Sequence, residues 1–452
     1  MLSTGECSLS VAATVAGGKT AGSDRRSAPR ALPTVPPASR HSQPETCTPF
    51  KQEVFDPARK GPLAGIRVLD FSRLMSGNML SLQLADFGAE VVKVEAPGRG
   101  DTLRDWHAAG VSAHWKVYGR NKKSITLNLK STDAPQVILD LVSHFDVMIE
   151  SFRTQYLERL GVGPERLLAA NPNLVLTRIS GFGQTGPYAM RPGFGTLVEA
   201  MSGFAARNGF EDREPVLPPL ALADMVAGLA GAMATLAAVR EVEVNGGAGQ
   251  VVDVSLLEPM VSILGPEALI HRLTGETRRR VGSRSESSAP RNVYPTSDGR
   301  WLAISASTQR MTERLFGAIG RDDLNQDPRY RTNAERVKRH DEVDAIVGGW
   351  IKERTLAENI RLLEDAGVTA APVYDVAQFL ADPHVRERGI IVETPDDELG
   401  SVPTHAIVPR LSGTPGAFRL RAPSIGQHND EVYGRIGYHA ERLRALRDAG
   451  TV

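Results

Sequence analysis

From Leu63 onward the apolar residues fall into short runs separated by turn residues. Ile66-Arg-Val-Leu-Asp-Phe-Ser has strand composition, Leu80 to Phe87 has helical spacing that Gly88 stops, and Val91-Val-Lys-Val-Glu is a second strand. Strand, helix and strand in succession make one βαβ unit and therefore a parallel sheet. The pattern recurs: Ser124 to Leu129 is a strand, Asp133 to Phe145 a helix, and Asp146 to Glu150 a strand. Two short helices follow, then another strand at Asn173 to Ser180. A doubly wound α/β domain is the economical architecture. From about Glu267 the texture changes to a Ser/Arg-rich, mobile stretch at Arg278 to Pro290. A hairpin at Tyr294 to Ser305, turned by Asp298-Gly299, and then helices through Leu380 predict a smaller α+β domain. Past Pro383 we expect one strand at His405 to Pro409 and closing helices at Asp430 to Tyr438 and Ala440 to Ala449.

The chain has 452 residues, 53 basic and 53 acidic, so no net field draws it to nucleic acid or an anionic membrane. Cys7 and Cys47 both precede the folded body, which leaves it no disulfide framework and no thiol nucleophile and suits a reducing compartment. The cytoplasm is expected, or the mitochondrial matrix for a eukaryotic source. Residues 1–55 are rich in Ser, Ala, Pro and Arg without periodicity, and are expected to be a disordered extension. Glu6, Asp24 and Glu45 weigh against a transit peptide there. The long apolar stretch from Leu220 to Val239 carries Asp224 and is mostly Ala and Gly, as expected of a buried helix rather than a membrane span.

Gly181-Phe-Gly-Gln-Thr-Gly186 has the spelling of a dinucleotide-binding turn and follows a strand. Pro187, Tyr188 and Arg191-Pro-Gly then interrupt the helix whose amides such a turn needs, so the glycines predict only a close backbone approach. The ten histidines show no metal-binding spacing, and Asp101, Asp105, His107 and His114 fit a solvated loop. No metal site is expected. Asp224 precedes a helix of small residues, Met225 to Arg240, and fits an N-cap. The same carboxylate, held rigidly at a helix N-terminus, is also a competent nucleophile toward an activated carbonyl.

The sequence resembles the class III CoA-transferases, a group that includes formyl-CoA and carnitine CoA-transferases and the α-methylacyl-CoA racemases. The matching pieces include Gly61-Pro-Leu-Ala-Gly-Ile-Arg-Val-Leu-Asp-Phe-Ser, Ala85-Asp-Phe-Gly-Ala-Glu-Val-Val-Lys-Val-Glu-Ala-Pro and Asn121-Lys-Lys-Ser-Ile-Thr-Leu-Asn-Leu-Lys. Ile179-Ser-Gly-Phe-Gly-Gln-Thr-Gly-Pro-Tyr, Ala223-Asp, Gly249-Gln-Val-Val-Asp-Val-Ser-Leu, Asp327-Pro-Arg-Tyr and Gly426-Gln-His-Asn-Asp-Glu-Val follow in the family's order.

The resemblance implies an interlocked homodimer, each chain having a large Rossmann-like domain (61–265), a linker (266–290), a small α+β domain (291–395) and a C-terminal segment (396–452) that returns to the large domain. It implies acyl-CoA and a small carboxylic acid as substrates, coenzyme A entering as substrate with no permanently bound cofactor. Asp224 matches the nucleophile that forms a mixed anhydride and then an aspartyl-CoA thioester. Leu74, Met75, Ala96, Leu127, Lys130, Ser151, Phe152 and Arg159 match CoA contacts, with Lys130 and Arg159 toward the phosphates.

Several positions depart from the pattern. Met75 stands where formyl-CoA transferase has Gln, Asn78 where Pro is usual, Ser151 where Asn is usual, and Ala96 where Arg is frequent. Arg99 or Arg104 is expected to take over phosphate binding. Phe194-Gly195 stands where racemases have His-Asp and many transferases Tyr-Asp. Racemisation needs that His, and the sequence shows none nearby, so a racemase is the alternative reading and a non-catalytic CoA-binding subunit a third.

Overall fold

The computed structural model describes residues 50–452. Residues 1–49, most of the expected N-terminal extension, lie outside the described residues. At its end Lys51–Gln52 forms a short strand, β1.

The body is built on six strands with helices between them. In chain order these elements are β2 (Arg67–Asp70), α1 (Leu74–Asp86), β3 (Glu90–Glu95), α2 (Ala113–Tyr118), β4 (Lys122–Thr126), α3 (Ala134–Val142) and β5 (Val147–Glu150). They continue with α4 (Tyr156–Arg159), α5 (Pro164–Ala170), β6 (Val175–Ser180), α6 (Gly195–Met201), α7 (Phe204–Arg207), α8 (Leu222–Asn245) and β7 (Val251–Ser255). The strands pair in the order β4-β3-β2-β5-β6-β7. Every pairing is parallel. Such a sheet is covered on both faces, which is why its central strands read as nearly continuous apolar runs. One face packs Leu69, Val92, Ile125 and Leu176 with α3. The other packs Val68, Val91, Val147 and Val175 with Leu80 and Leu84 of α1 and Ala223, Ala227 and Ala232 of α8.

Strand order reverses between β2 and β5. A crevice opens there, beyond the carboxyl ends of the two strands, because their outgoing chains diverge to opposite faces.

α8 is long and apolar enough to cross a membrane by length and composition. Its small residues instead pack it against α1: a Cβ on Gly228 would lie 2.7 Å from the Ser76 carbonyl oxygen, and one on Gly231 2.7 Å from Leu80 Cδ1.

A second, antiparallel sheet pairs β8 (Arg291–Pro295), β9 (Trp301–Ser305) and β10 (Ala370–Pro372) in the order β10-β9-β8. It shares a core with the helices Gln309–Ala318, His340–Lys352 and Leu356–Asp365. In the Arg278 to Pro290 stretch, Arg278 pairs with Glu267 and Glu286, and Arg280 donates to the Phe210 carbonyl.

The strand expected at His405 to Pro409 is displaced. The ladder is formed by β11 (Ile391–Asp396) and β12 (Gly400–His405), with β1 parallel to β11, while Ala406 and Ile407 pass into a small core beside Phe418. The last helices lie on the large sheet, where Val432, Tyr433, Leu443 and Leu446 join its core and Tyr433 donates to the Thr126 carbonyl at 2.8 Å.

Candidate active site

Two adjoining cavities meet at the turn between β2 and α1. Arg73, the N-cap of α1, is extended there, and Leu74, its first residue, takes a left-handed φ of 62°. A leucine holds this strained backbone only where its surroundings over-determine it. Asp101, on the loop after β3, accepts from the Leu74 amide at 3.1 Å and the Leu103 amide at 2.9 Å. Asn78 donates to the Leu74 carbonyl at 2.6 Å and to Asp101 at 2.8 Å. Asn78, one of the departures from the family pattern, is thus a tie between the turn and its anchor.

Buried charges stand behind it. Lys93 Nζ lies 3.0 Å from Asp101 and 3.3 Å from Asp70, and Lys122 Nζ lies 2.9 Å from Asn78 Oδ1. Burial pushes the Asp101 carboxyl up, but Lys93, the two amides and Asn78 outweigh it and hold the group down at about 2. Burial brings the Lys122 ammonium down to about 7. Asp101, expected in a solvated loop, is therefore a buried structural anchor. Its role was hidden because Leu74, Asn78 and Lys93 lie on other elements, the first two 27 and 23 residues away.

The first cavity, of about 890 Å³, opens at the β2/β5 switch point. Ala96, Leu127, Lys130, Phe152 and Arg159 converge on it, together with Arg73 and Arg99. Ser151 sits at its edge, where its hydroxyl accepts from the Arg73 amide at 3.0 Å and so joins the ends of β2 and β5. Arg104 is not available to a ligand in the way expected: it makes two 2.7 Å bonds to Glu95 and lies 3.8 Å over the Trp115 ring. Arg99 is the one of the two that lines the cavity.

The second cavity, of about 830 Å³, holds Leu74, Met75 and Asp224. α8 starts two residues before Asp224, at Leu222, with Ala221 as its N-cap, so Asp224 sits in the first turn and does not serve as the cap. The missing cap comes from another element: Glu199 of α6, 2% exposed, accepts from the Ala223 amide at 3.0 Å. Ser76, in the first turn of α1, addresses the Asp224 carboxylate with both its amide and its hydroxyl. Burial raises the Asp224 pKa from its ordinary value; Ser76 opposes the rise and the Glu199 charge adds to it. Glu199 and Ser76 were not visible as site residues in the sequence, where neither stands in a recognisable motif.

His114 also reaches this cavity, from α2. The sequence shows no histidine near Phe194-Gly195 to serve a racemase; the structure brings His114, 110 residues before Asp224 in sequence, to the cavity that Phe194, Gly195 and Asp224 line.

The Gly181–Gly186 segment turns without a helix, and the next helix is α6 at Gly195. A Cβ on Gly181 would lie 2.6 Å from the Gly193 Cα, so the close approach that the glycines predict is to the chain itself. Among the described residues no group of three or more His, Cys, Asp or Glu is placed to hold a metal ion.

A family model described as CoA-transferase family III matches residues 63–429, and the chain belongs to that family and is a CoA-transferase. The succinyl-CoA–D-citramalate CoA-transferase of Chloroflexus aurantiacus is 38% identical over 375 residues, covering 82% of this chain and 93% of that protein. The succinate–glutarate CoA-transferase of Agrobacterium fabrum is 31% identical over 389 residues, covering 84% and 97%. A crystal structure of a CAIB/BAIF family protein from Brucella suis superposes with a TM-score of 0.73 at 30% identity, covering 84% of this chain and all of that one.

Proposed function

We propose that the chain moves CoA from an acyl-CoA donor, succinyl-CoA being the first candidate, to a small carboxylic acid, with Asp224 as the nucleophile. The observation that carries this reading is the half-buried Asp224 carboxylate in a cavity that adjoins the basic switch-point cavity across the Leu74 turn. Lys130, Arg159, Arg73 and Arg99 supply cations for the phosphates of CoA, Phe152 an apolar face for its nucleotide end, and Leu74 and Met75 a passage for the thioester.

Asp224 Oδ attacks the thioester carbonyl. A C–O bond forms, the C–S bond breaks with its electron pair on sulfur, and a mixed anhydride and CoA thiolate result. The thiolate attacks the aspartyl carbonyl of the anhydride, releasing the donor acid and leaving an aspartyl-CoA thioester. The acceptor carboxylate attacks that thioester to form a second anhydride, and the thiolate then attacks its acyl carbonyl, giving the new acyl-CoA and free Asp224. Each intermediate keeps an activated acyl group, so the sequence needs no nucleotide hydrolysis. Two chains interlocked as a homodimer in the cytoplasm, or the matrix of a eukaryote, complete the proposal; the relatives' names support succinyl-CoA as donor and small di- and hydroxy-acids as the first acceptors to try.

His114 in the Asp224 cavity gives the racemase reading one structural foothold. A single experiment separates the readings. Protein incubated with succinyl-CoA and a panel of free acids in deuterated water should yield a new thioester with one succinate per product and no deuterium at the acyl α-carbon. Deuterium exchange without transfer would favour the racemase, and neither reaction would favour a binding subunit.

A further inference from the structure

Gly195 and Glu199 occupy one face of α6, four residues apart, and both face Asp224. The family resemblance puts an acidic side chain at position 195, and this chain has none. The structure shows why the space is closed: a Cβ on Gly195 would lie 2.5 Å from Asp224 Oδ2. One turn further along, Glu199 is buried, lines the same cavity and holds the amide of the residue preceding Asp224 at 3.0 Å.

We propose that Glu199 is the positioning residue of Asp224: it fixes the first turn of α8 and places beside the nucleophile the negative charge that position 195 lacks. The inference rests on Asp224 being the nucleophile. The capping half follows from the helix. Ala221 has no side chain to satisfy the first amides of α8, and a carboxylate brought from α6 both accepts a hydrogen bond and meets the positive end of the helix.

The charge half follows from what surrounds Asp224. α1 presents the Ser76 hydroxyl and amide, α2 presents His114 and Tyr118, and α6 presents Glu199. No Lys or Arg is among the described residues lining this cavity. Glu199 therefore opposes ionisation of Asp224 and makes its carboxylate more basic, while Ser76 keeps the ionised form accessible. A more basic carboxylate is a better nucleophile, and acylation of Asp224 removes the charge that Glu199 repels. The electron pair released by the C–S bond stays on sulfur.

Two substitutions separate the two halves. Glu199→Gln keeps the length and the accepting oxygen for the Ala223 amide but removes the charge. It should leave the melting temperature and CoA affinity near wild type, move the acid limb of the kcat/KM profile to lower pH, and lower the plateau kcat several-fold. Glu199→Asp keeps the charge but shortens the reach to Ala223. It should lower the melting temperature and leave the acid limb well above that of the Gln protein. A Gln protein with the wild-type limb and kcat, or an Asp protein whose limb moves down with that of the Gln protein, would overturn the proposal. Hydroxylamine trapping on the wild-type protein guards the premise. If no hydroxamate forms on Asp224, the nucleophile reading fails whatever the Glu199 variants do; if it forms and the Gln profile is unmoved, only the role of Glu199 fails.

Discussion

Gly228 and Ser76 are in backbone contact: a Cβ at position 228 would lie 2.7 Å from the Ser76 carbonyl oxygen and 2.8 Å from Met79 Cβ. Gly228 is one helical turn after Asp224, so the contact that brings α1 down onto α8 also sets how closely Ser76 approaches the carboxylate. The small residues of α8 are thus part of the site's geometry as well as of its core.

Gly228→Ala should therefore force α1 and α8 apart, costing about 1–3 kcal/mol of stability and lowering kcat by a larger factor than Gly231→Ala. At Gly231 the new methyl meets side chains and no backbone, with Leu80 Cδ1 at 2.7 Å and Val254 Cγ1 at 3.7 Å, so side-chain adjustment takes up more of the strain. Thermal unfolding and steady-state kinetics of the two variants side by side check this; equal kcat losses would count against it.

The Leu74 turn makes a prediction about acid. Asp101 is held at about 2 in the folded protein against 3.8 when unperturbed. Its contribution, on the order of 2 kcal/mol, is fully present above pH 4 and is lost as the pH falls toward 2, because the unfolded chain binds the proton first. Asp101→Asn should remove that part of the acid dependence and lower kcat by disordering the Leu74 turn, seen as convergence of the variant and wild-type unfolding curves near pH 2. Curves that stay separated there would show that Asp101 is not the titrating anchor.

How much of this could be read from the chain differs by element. The βαβ pattern and the apolar strands were legible because a sheet buried on both faces needs continuous apolar runs. The start of α1 was not: Ser76, Gly77 and Asn78 are poor helix formers, and the turn is fixed by Asp101 and Lys93 from the next strand and loop. The β11/β12 hairpin was missed because Pro395 and Pro403 interrupt its strands, whereas the apolar Ala406-Ile-Val segment after it imitates one. Asp224 could be singled out by its pattern, but Glu199 could not, since nothing local says that its carboxylate meets an amide 24 residues on.

The basic cavity makes a prediction about binding. Lys130 and Arg159 line it from exposed positions, so their charges act on a ligand through partly screened water. Replacing either by Ala should raise the KM for acyl-CoA roughly 3- to 10-fold at low salt, about 0.7–1.4 kcal/mol, with kcat little changed and a smaller effect at high salt. Measuring KM against ionic strength checks this; a loss confined to kcat would place these residues elsewhere in the reaction.

Asp224→Asn most directly separates the structural from the chemical role of the central residue. The helix is capped by Glu199, so an amide at position 224 should be tolerated by the fold, leave CoA binding intact and abolish transfer. The decisive measurement is peptide mapping by mass spectrometry after wild-type protein is treated with hydroxylamine in the presence of succinyl-CoA. The account predicts inactivation with one hydroxamate on Asp224, absent without acyl-CoA and absent in the Asn protein. A hydroxamate on another residue, or an Asn protein that transfers CoA at near the wild-type rate, would contradict it.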